Sequence, residues 1–289
     1  MRIMERKKIW FALSLAVMLL GLVLGLTRGM NVGIDFTGGT MMQFNMGQVV
    51  EVKDVEAALA PFSLAPEVLH AGKEKTEIIV RTKQDLNNAE RMEVFGALQA
   101  RFGLQEDALV SAEQFGPAIG KEIQMKAVYG VLASCVFMLF YIWVRFEITF
   151  GIAAIISLLH DVFVLLAVYA IFYIPVDTSM IAAVLTVVGY SINDTIVIFD
   201  RIRENARFLK KNAYDDLAEQ SIMSTLSRSI NTSLTTLVVI FVMYLLGVES
   251  IRNFTFPLLI GIAAGTYSSI FIASPIWAMV KMRRTARTA

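Results

Sequence analysis

Six apolar runs, each near the length that crosses a bilayer, constrain the fold of this sequence more than any other feature. They cover residues 9–26, 127–144, 148–174, 179–199, 229–248 and 254–280. About 20 apolar residues in a helix span the roughly 30 Å hydrocarbon core. The composition agrees, since 18% of the residues are charged against about 25% in a typical soluble domain. The sequence therefore predicts an α-helical polytopic membrane protein with six transmembrane helices and excludes an ordinary soluble enzyme.

The basic residues of the short loops predict how these helices are oriented. If residues 1–8 are cytoplasmic, the inner side collects fourteen Lys and Arg residues, whereas the short outer loops hold only Arg252. We therefore expect both the N-terminus and the basic tail at 281–289 in the cytoplasm. The first run follows basic residues, as a signal peptide would, but no small-x-small cleavage site comes after it. We interpret the run as an uncleaved membrane anchor.

Residues 27–126, between the first two apolar runs, are predicted to form an outer domain on the extracytoplasmic side. Short β-rich runs predict strands at 40–46, 67–71, 77–82 and 108–115. Apolar residues at helical spacing predict helices at 52–60 and 88–102. This βαββαβ order is typical of an α+β ferredoxin-like fold, an antiparallel sheet with both helices on one face. The domain carries no catalytic constellation.

Residues 200–228 separate the fourth and fifth apolar runs on the inner side. From Asp200 to Ser227, five basic and five acidic residues are mixed with apolar ones at approximate helical spacing. The pattern predicts a cytoplasmic amphipathic segment that lies at the membrane interface. We interpret it as a solvated connector held by one apolar face, with a contact surface for a cytoplasmic partner as the alternative.

Several classes of chemistry are excluded by what the sequence lacks. It has no G-x-x-x-x-G-K-[ST] phosphate loop, no nucleophile elbow and no zinc-protease motif. The single cysteine, Cys135, and the two histidines, His70 and His160, are too few for a typical metal cluster. A net charge of +1 argues against nucleic-acid binding. We expect no enzymatic activity, no cofactor and no metal.

Ionisable residues inside the apolar runs are the candidate functional residues. Asp161 lies in the third run, Asp194 in the fourth, and Arg228 opens the fifth with Thr232 one turn deeper. A charge at the bilayer centre costs several kcal/mol, so such residues usually carry ions or protons. Asp194 and Arg228 are expected at similar depth in antiparallel helices. Arg228 would stabilise the ionised form of Asp194, whereas burial would stabilise its protonated form. Because these effects oppose each other, the carboxylate can bind and release a proton. The alternative for Asp194 is a static ion pair with a structural role. The alternative for Asp161 is also structural: its carboxylate would be hydrogen-bonded by His160 and Ser157.

Longer motifs carry a resemblance to a known family. They are Gly33-Ile34-Asp35-Phe36-Thr37-Gly38-Gly39-Thr40, the stretch at 189–205 that begins Gly189-Tyr190-Ser191-Ile192-Asn193-Asp194, the stretches at 228–236 and 265–275, and His160-Asp161. With one span, an outer ferredoxin-like domain and five more spans, the chain resembles half of an RND-superfamily transporter. More specifically, it is similar to the SecF family of the bacterial SecDF complex, over the whole chain.

The resemblance implies a function and a set of partners. SecF pairs with SecD in a twelve-span unit that associates with the SecYEG channel and uses the proton motive force to help preproteins across the bacterial inner membrane. A chain of this length is expected to carry only the SecF half, with SecD as a separate polypeptide. YajC is a further candidate partner. Proton coupling would fall on Asp194, Arg228 and Thr232, with Asp161 as an additional candidate. The motif positions that the resemblance implies are Asp35, Phe36, Gly38, Gly39, His160, Gly189, Asn193, Asp200 and Arg201.

Two rival functions remain open on the residues alone. One is an RND-superfamily exporter of small molecules or lipids. The other is a non-transporting scaffold of the translocon, in which Asp194 would form a structural pair.

Overall fold

A computed structural model describes residues 2–72, 74–208 and 213–288 of the chain. The first membrane helix, α1, runs over Lys7–Thr27 and is followed by a single turn, α2, at Ile34–Thr37. The outer domain then contributes β1 (Gly39–Asn45), α3 (Val52–Leu59), β2 (Glu67–Ala71), β3 (Glu77–Thr82), α4 (Asn88–Phe102) and β4 (Leu109–Phe115). The remaining helices are α5 (Pro117–Arg145), α6 (Ile148–Phe172), α7 (Thr178–Asn205), α8 (Tyr214–Leu246), α9 (Glu249–Ser268) and α10 (Ser274–Thr288).

The outer domain confirms the predicted βαββαβ order. Its four strands form one antiparallel sheet in the order β2-β3-β1-β4, so the first strand is central and the second lies at an edge. Met42 and Phe44 of β1 are fully buried because alternate residues of a strand point to the same face. They form one core with Leu59 of α3 and with Phe95 and Leu98 of α4. Both helices therefore cover the same face of the sheet.

Six helical segments are long and apolar enough to cross a membrane, which confirms the predicted number of spans within the described residues. The sixth is α9 and α10 joined by a π-helical turn at Ser269–Ala273. Helices α6, α7 and the α9–α10 segment are about half buried, whereas α1, α5 and α8 leave most of their apolar surface exposed. Small residues permit close contacts between these helices: a Cβ at Gly265 of α9 would lie 3.0 Å from the Cβ of Ser191 in α7.

The connection between α7 and α8 differs from the prediction. In the described part of residues 200–228 there is no separate interfacial helix, because α7 continues to Asn205 and α8 already begins at Tyr214. The first turns of α8 are fixed by packing, since Leu217 and Ile222 are buried in the core of the helical bundle. They are also fixed by Glu219, whose carboxylate accepts the backbone N–H groups of Ile3 at 2.9 Å and Met4 at 2.8 Å. Residues 209–212 lie outside the described ranges.

Candidate functional site

Asp194 lies on the side of α7 that faces α8, and its side chain is 8% exposed. Ser229 and Arg228 of α8 lie alongside the carboxylate. Among the described residues, neither Oδ2 of Asp194 nor the hydroxyl of Ser229 has a hydrogen-bond partner of good geometry. A buried carboxylate usually has its oxygens satisfied, because leaving one unpaired is costly. Ser229 is thus the neighbouring hydroxyl, but no hydrogen bond of good geometry joins it to the carboxylate.

Arg228 is close to Asp194 without forming the direct ion pair that equal depth suggested. None of the ion pairs of 4.0 Å or less among the described side chains joins these two residues. Arg228 also does not open its helix as predicted, since α8 begins fourteen residues earlier, at Tyr214. Arg228 and Thr232, one turn further along, are both exposed on α8. They lie on a surface of the bundle where another helix can pack.

A polar cleft of about 610 Å³ leads along α7 and α8 to Arg228. Its lining residues are Asn193, Ile196, Val197, Asp200, Arg201 and Glu204 of α7 with Ser224, Thr225 and Arg228 of α8. Asp194 is adjacent to this cleft but does not line it, and Thr232 lies beyond it. The charged end of the cleft lies where α7 ends and α8 begins.

The motif residues of α7 occupy different environments. Asp200 pairs with Arg203 at 2.9 Å, and Arg201 pairs with Glu204 at 2.7 Å and donates to the Ser224 hydroxyl at 3.0 Å. Asn193 is exposed, and a Cβ on Gly189 would meet nothing within 4 Å. Asp200 and Arg201 are thus engaged at the inner end of α7 and do not contact Asp194 directly.

Asp161 forms a second polar cluster in the centre of the bundle. It is fully buried, and Ser191 of α7 and Ser268 of α9 both donate their hydroxyls to Oδ2, the latter at 2.8 Å. Nδ1 of His160 lies 2.9 Å from Oδ1. The carboxylate therefore joins α6, α7 and α9, and it accepts from Ser191 and Ser268 rather than from Ser157, whose buried hydroxyl has no partner among the described residues.

His160 completes this cluster on the side of α1. Its ring stacks near Tyr267, with centroids 6.1 Å apart, and the Tyr267 hydroxyl donates to the backbone oxygen of Trp10 at 2.8 Å. The second ring nitrogen, Nε2, is buried and has no partner in the described part of the chain. This cluster thus reaches from α6 to the first membrane helix.

The glycine-containing motif lies where α1 passes into the outer domain. Asp35 accepts hydrogen bonds from Thr178 at the start of α7. The carbonyl oxygen of Phe36 would lie 2.7 Å from a Cβ on Gly120 of α5. Gly38 and Gly39 have φ values of +81° and +144°, which side-chain-bearing residues rarely adopt. This motif is therefore the meeting point of α2, α5, α7 and β1.

The sequence reasoning missed the serine donors to Asp161. Ser191 and Ser268 both lie within motifs that carry the family resemblance, and small hydroxyl residues in apolar helices are a recognisable signal of interhelical hydrogen bonds. His70, which was not assigned a role, bonds to the backbone oxygen of Val50 at 2.7 Å. Within residues 2–72, 74–208 and 213–288, no cluster of three His, Cys, Asp or Glu side chains is placed to bind a metal ion.

Two families match this chain. The family described as "Protein export membrane protein SecD/SecF, C-terminal" matches residues 98–283, and the "SecD/SecF GG Motif" matches residues 23–48. The second match covers the motif at Gly38 and Gly39. Together they include all six membrane helices at least in part.

Relatives and solved structures agree with these matches. "Protein translocase subunit SecF" of Alicyclobacillus acidocaldarius is 38% identical over 286 residues, which cover 97% of this chain and 93% of the relative. The protein of the same name from Rhodothermus marinus is 36% identical over 99% of this chain and 94% of its own. A crystal structure of SecDF, a translocon-associated membrane protein from Thermus thermophilus, superposes with a TM-score of 0.83 at 34% identity. It covers 98% of this chain, which spans only 39% of that longer one. This multi-pass membrane protein belongs to the SecF family of protein translocase subunits.

Proposed function

We propose that this chain is the SecF-type half of a proton-driven unit that, together with SecD, assists the passage of preproteins through the SecYEG channel. One observation carries the proposal: Asp194 is buried between two membrane helices, with Ser229 and Arg228 beside its carboxylate. The names of the relatives, protein translocase subunits, supply the process that such a site would serve.

The environment of Asp194 suits a group that binds and releases a proton. An ionised carboxylate in a largely apolar bundle is costly unless a cation lies close by. Arg228 supplies the cation, yet it holds no direct ion pair with Asp194 among the described residues, so neither form of the carboxylate is locked. The cleft beside Arg228 offers a route for water from the inner ends of α7 and α8.

The exposure of Arg228 and Thr232 supports a partner on this side of the bundle. Both side chains are exposed here, and a bare guanidinium in the hydrocarbon core is costly. Covering helices would remove that cost and bury Asp194 further. The SecDF structures, of which this chain matches 39% and 40%, indicate a SecD-type half as the partner. The SecYEG channel and YajC are proposed as further partners on family membership alone.

We place the protein in the bacterial inner membrane with both termini cytoplasmic and the outer domain on the opposite side. This orientation is supported by the fourteen basic residues on one side against Arg252 on the other. In this orientation the cleft beside Arg228 opens toward the cytoplasm. The protons bound at Asp194 would then be released inward.

The proposal is tested with Asp194→Asn, which removes the titratable proton with almost no change in shape. Inverted membrane vesicles containing the chain, SecD and SecYEG are assayed for preprotein uptake while only the proton gradient is varied. We expect uptake to fall to the level of vesicles that lack the chain and to stop responding to the gradient. A conformational cycle can follow proton binding only if its states bind the proton unequally, and the variant binds none at this position.

The matched control is Asp216→Asn, the same chemical change at an exposed position of α8. It should leave gradient-stimulated uptake unchanged, and SecD should co-purify with both variants. Arg228→Lys keeps the charge but loses the planar guanidinium, so an intermediate loss is expected. Normal gradient-stimulated uptake in Asp194→Asn vesicles would show that Asp194 has a structural role only.

A further inference from the structure

The outer end of α7 is held by a residue from a distant part of the chain. Oδ2 of Asp35 accepts the backbone N–H of Thr178 at 2.9 Å and its hydroxyl at 2.7 Å. Thr178 is the first residue of α7, where backbone N–H groups have no partner within the helix. A carboxylate at this end is also favoured by the helix dipole. Asp35 is thus bound to the end of the helix that carries Asp194.

Capping alone does not account for Asp35, because α7 already has a local cap. Asp177 precedes the helix, and its Oδ1 accepts the backbone N–H of Ser179 at 3.0 Å as well as the Ser179 hydroxyl. This is the usual arrangement at a helix N-terminus. The second carboxylate therefore adds a connection between two distant segments rather than a missing cap.

A backbone bridge runs beside the Asp35 contact. The N–H of Gly33 donates to the oxygen of Val176 at 2.8 Å, and the N–H of Val176 donates to the oxygen of Asn31 at 2.8 Å. Val32 and Val176 form a parallel bridge. A Cβ at Gly33 would lie 3.1 Å from the Val176 oxygen, so the two segments are in close contact. Side-chain and backbone bonds together attach residues 31–39, which we name the junction, to the start of α7.

The junction continues directly into β1 of the outer domain, with no flexible linker between them. Gly38 follows α2 directly, its N–H donating to the Ile34 oxygen at 2.9 Å, and β1 begins at the next residue. A Cβ at Gly39 would overlap the backbone oxygen of Thr82 in β3. A second contact joins the same parts, since Arg81 of β3 lies 3.9 Å from the carboxylate of Asp177. A displacement of the outer end of α7 would therefore reach the central strand of the sheet.

We infer that Asp35 is a positioning residue that couples α7 mechanically to the outer domain, so that a change at Asp194 is transmitted to that domain. This inference rests on the proposed function. Asp194 lies sixteen residues after Thr178, about 24 Å along a continuous helix. The helix acts as a rigid lever between the two, and the bonds of Asp35 fasten its outer end to the junction.

The test compares two substitutions of Thr178 in the complete complex with SecD. Thr178→Pro removes both donors to Asp35, yet proline is well tolerated at the first position of a helix. The preceding residue, Asp177, already has the extended backbone (φ −120°, ψ −172°) that a following proline requires. Thr178→Ser keeps both donors and serves as the matched control. Asp35→Ala removes the acceptor and gives an independent second variant.

The readout is the distance between spin labels at two exposed positions, Asn45 in the outer domain and Arg207 just beyond α7, after replacement of Cys135 by serine. We expect Asp194→Asn to change this distance in the parent protein and in Thr178→Ser. The change should be smaller in Thr178→Pro and in Asp35→Ala, in which the backbone bridge between Gly33 and Val176 remains. Gradient-dependent preprotein uptake should fall in both of these variants and stay at the parent level in Thr178→Ser.

The outcomes separate this inference from the proposed function. If Asp194→Asn changes the distance equally in the parent protein, in Thr178→Pro and in Asp35→Ala, Asp35 does not couple α7 to the outer domain. The role of Asp194 in the proposed function then still stands. If Asp194→Asn abolishes gradient-stimulated uptake but has no effect on the distance in the parent protein, the coupling fails and the proposed function stands. Normal uptake in Asp194→Asn would overturn the proposed function. Co-purification of SecD with each variant shows that the complex is intact.

Discussion

Gly39 offers the sharpest test of how the junction is built. Its φ of +144° lies where residues with a Cβ are strained, and a Cβ there would overlap the backbone oxygen of Thr82. Gly47, in the loop after β1, is the matched control: its φ is +66°, but a Cβ would meet nothing within 4 Å. Gly39→Ala therefore adds a steric conflict to the backbone strain, whereas Gly47→Ala adds backbone strain alone.

The expected magnitudes follow from these two environments. An alanine at the backbone conformation of Gly47 costs about 1 kcal/mol. At Gly39 the backbone costs about 2 kcal/mol, and relief of the overlap must separate β1 from β3 where Thr40 pairs with Thr82. Loss of two ladder hydrogen bonds adds about 2 kcal/mol. We therefore expect Gly39→Ala to destabilise the outer domain by about 3 kcal/mol more than Gly47→Ala.

Hydrogen exchange of the β1 and β3 amides in the purified full-length protein measures this difference, because exchange of core amides reports the free energy of opening. A difference of 3 kcal/mol corresponds to exchange about 100-fold faster in Gly39→Ala than in the control. Equal exchange rates in the two variants would refute the steric argument. They would mean that the sheet moves away from the junction at little cost.

Two further predictions concern the membrane half. In a chain whose Cys135 is replaced by serine, a single cysteine at Asn45 should react with an impermeant thiol reagent from outside intact cells, and one at Arg207 should not. Labelling at Arg207 would reverse the proposed orientation. Asp161→Ala leaves the Ser191 and Ser268 hydroxyls without their acceptor. It should lower the stability of the detergent-solubilised protein by about 2 kcal/mol. Asp216→Ala, on the surface in the first turn of α8, should cost only about 0.5 kcal/mol in the same thermal unfolding assay.

Local patterns in the sequence were sufficient for most of the fold. The edges of the outer-domain helices and strands differ from the prediction by one residue at most, because apolar spacing and strand-forming residues are read within a few positions. The number of membrane spans followed from run length alone. The start of α8 was predicted wrongly because it is determined by packing. Tyr214 to Ser227 is too polar to be recognised as part of a membrane helix, yet Leu217 and Ile222 anchor it in the bundle.

The candidate site was only partly predictable, for a similar reason. Charges inside apolar runs identify Asp161 and Asp194 directly, and the structure buries both. No sequence pattern could show that Ser191 and Ser268 both point at Asp161, since they come from two other helices. The Asp35–Thr178 contact joins residues 143 positions apart and has no local signature at all.

That separation along the chain has a consequence for biogenesis. All four strands of the outer domain are synthesised before α6 and α7, so the sheet is complete in the chain well before Thr178 leaves the ribosome. At about 5–20 residues per second, the 143 residues between the two partners take roughly 7–30 s to make. In the proposed orientation, the outer domain therefore becomes available for translocation and folding before the contact at its base can form. Insertion of the fourth span then closes the bridge, and the newborn protein first becomes a single mechanical unit at that moment.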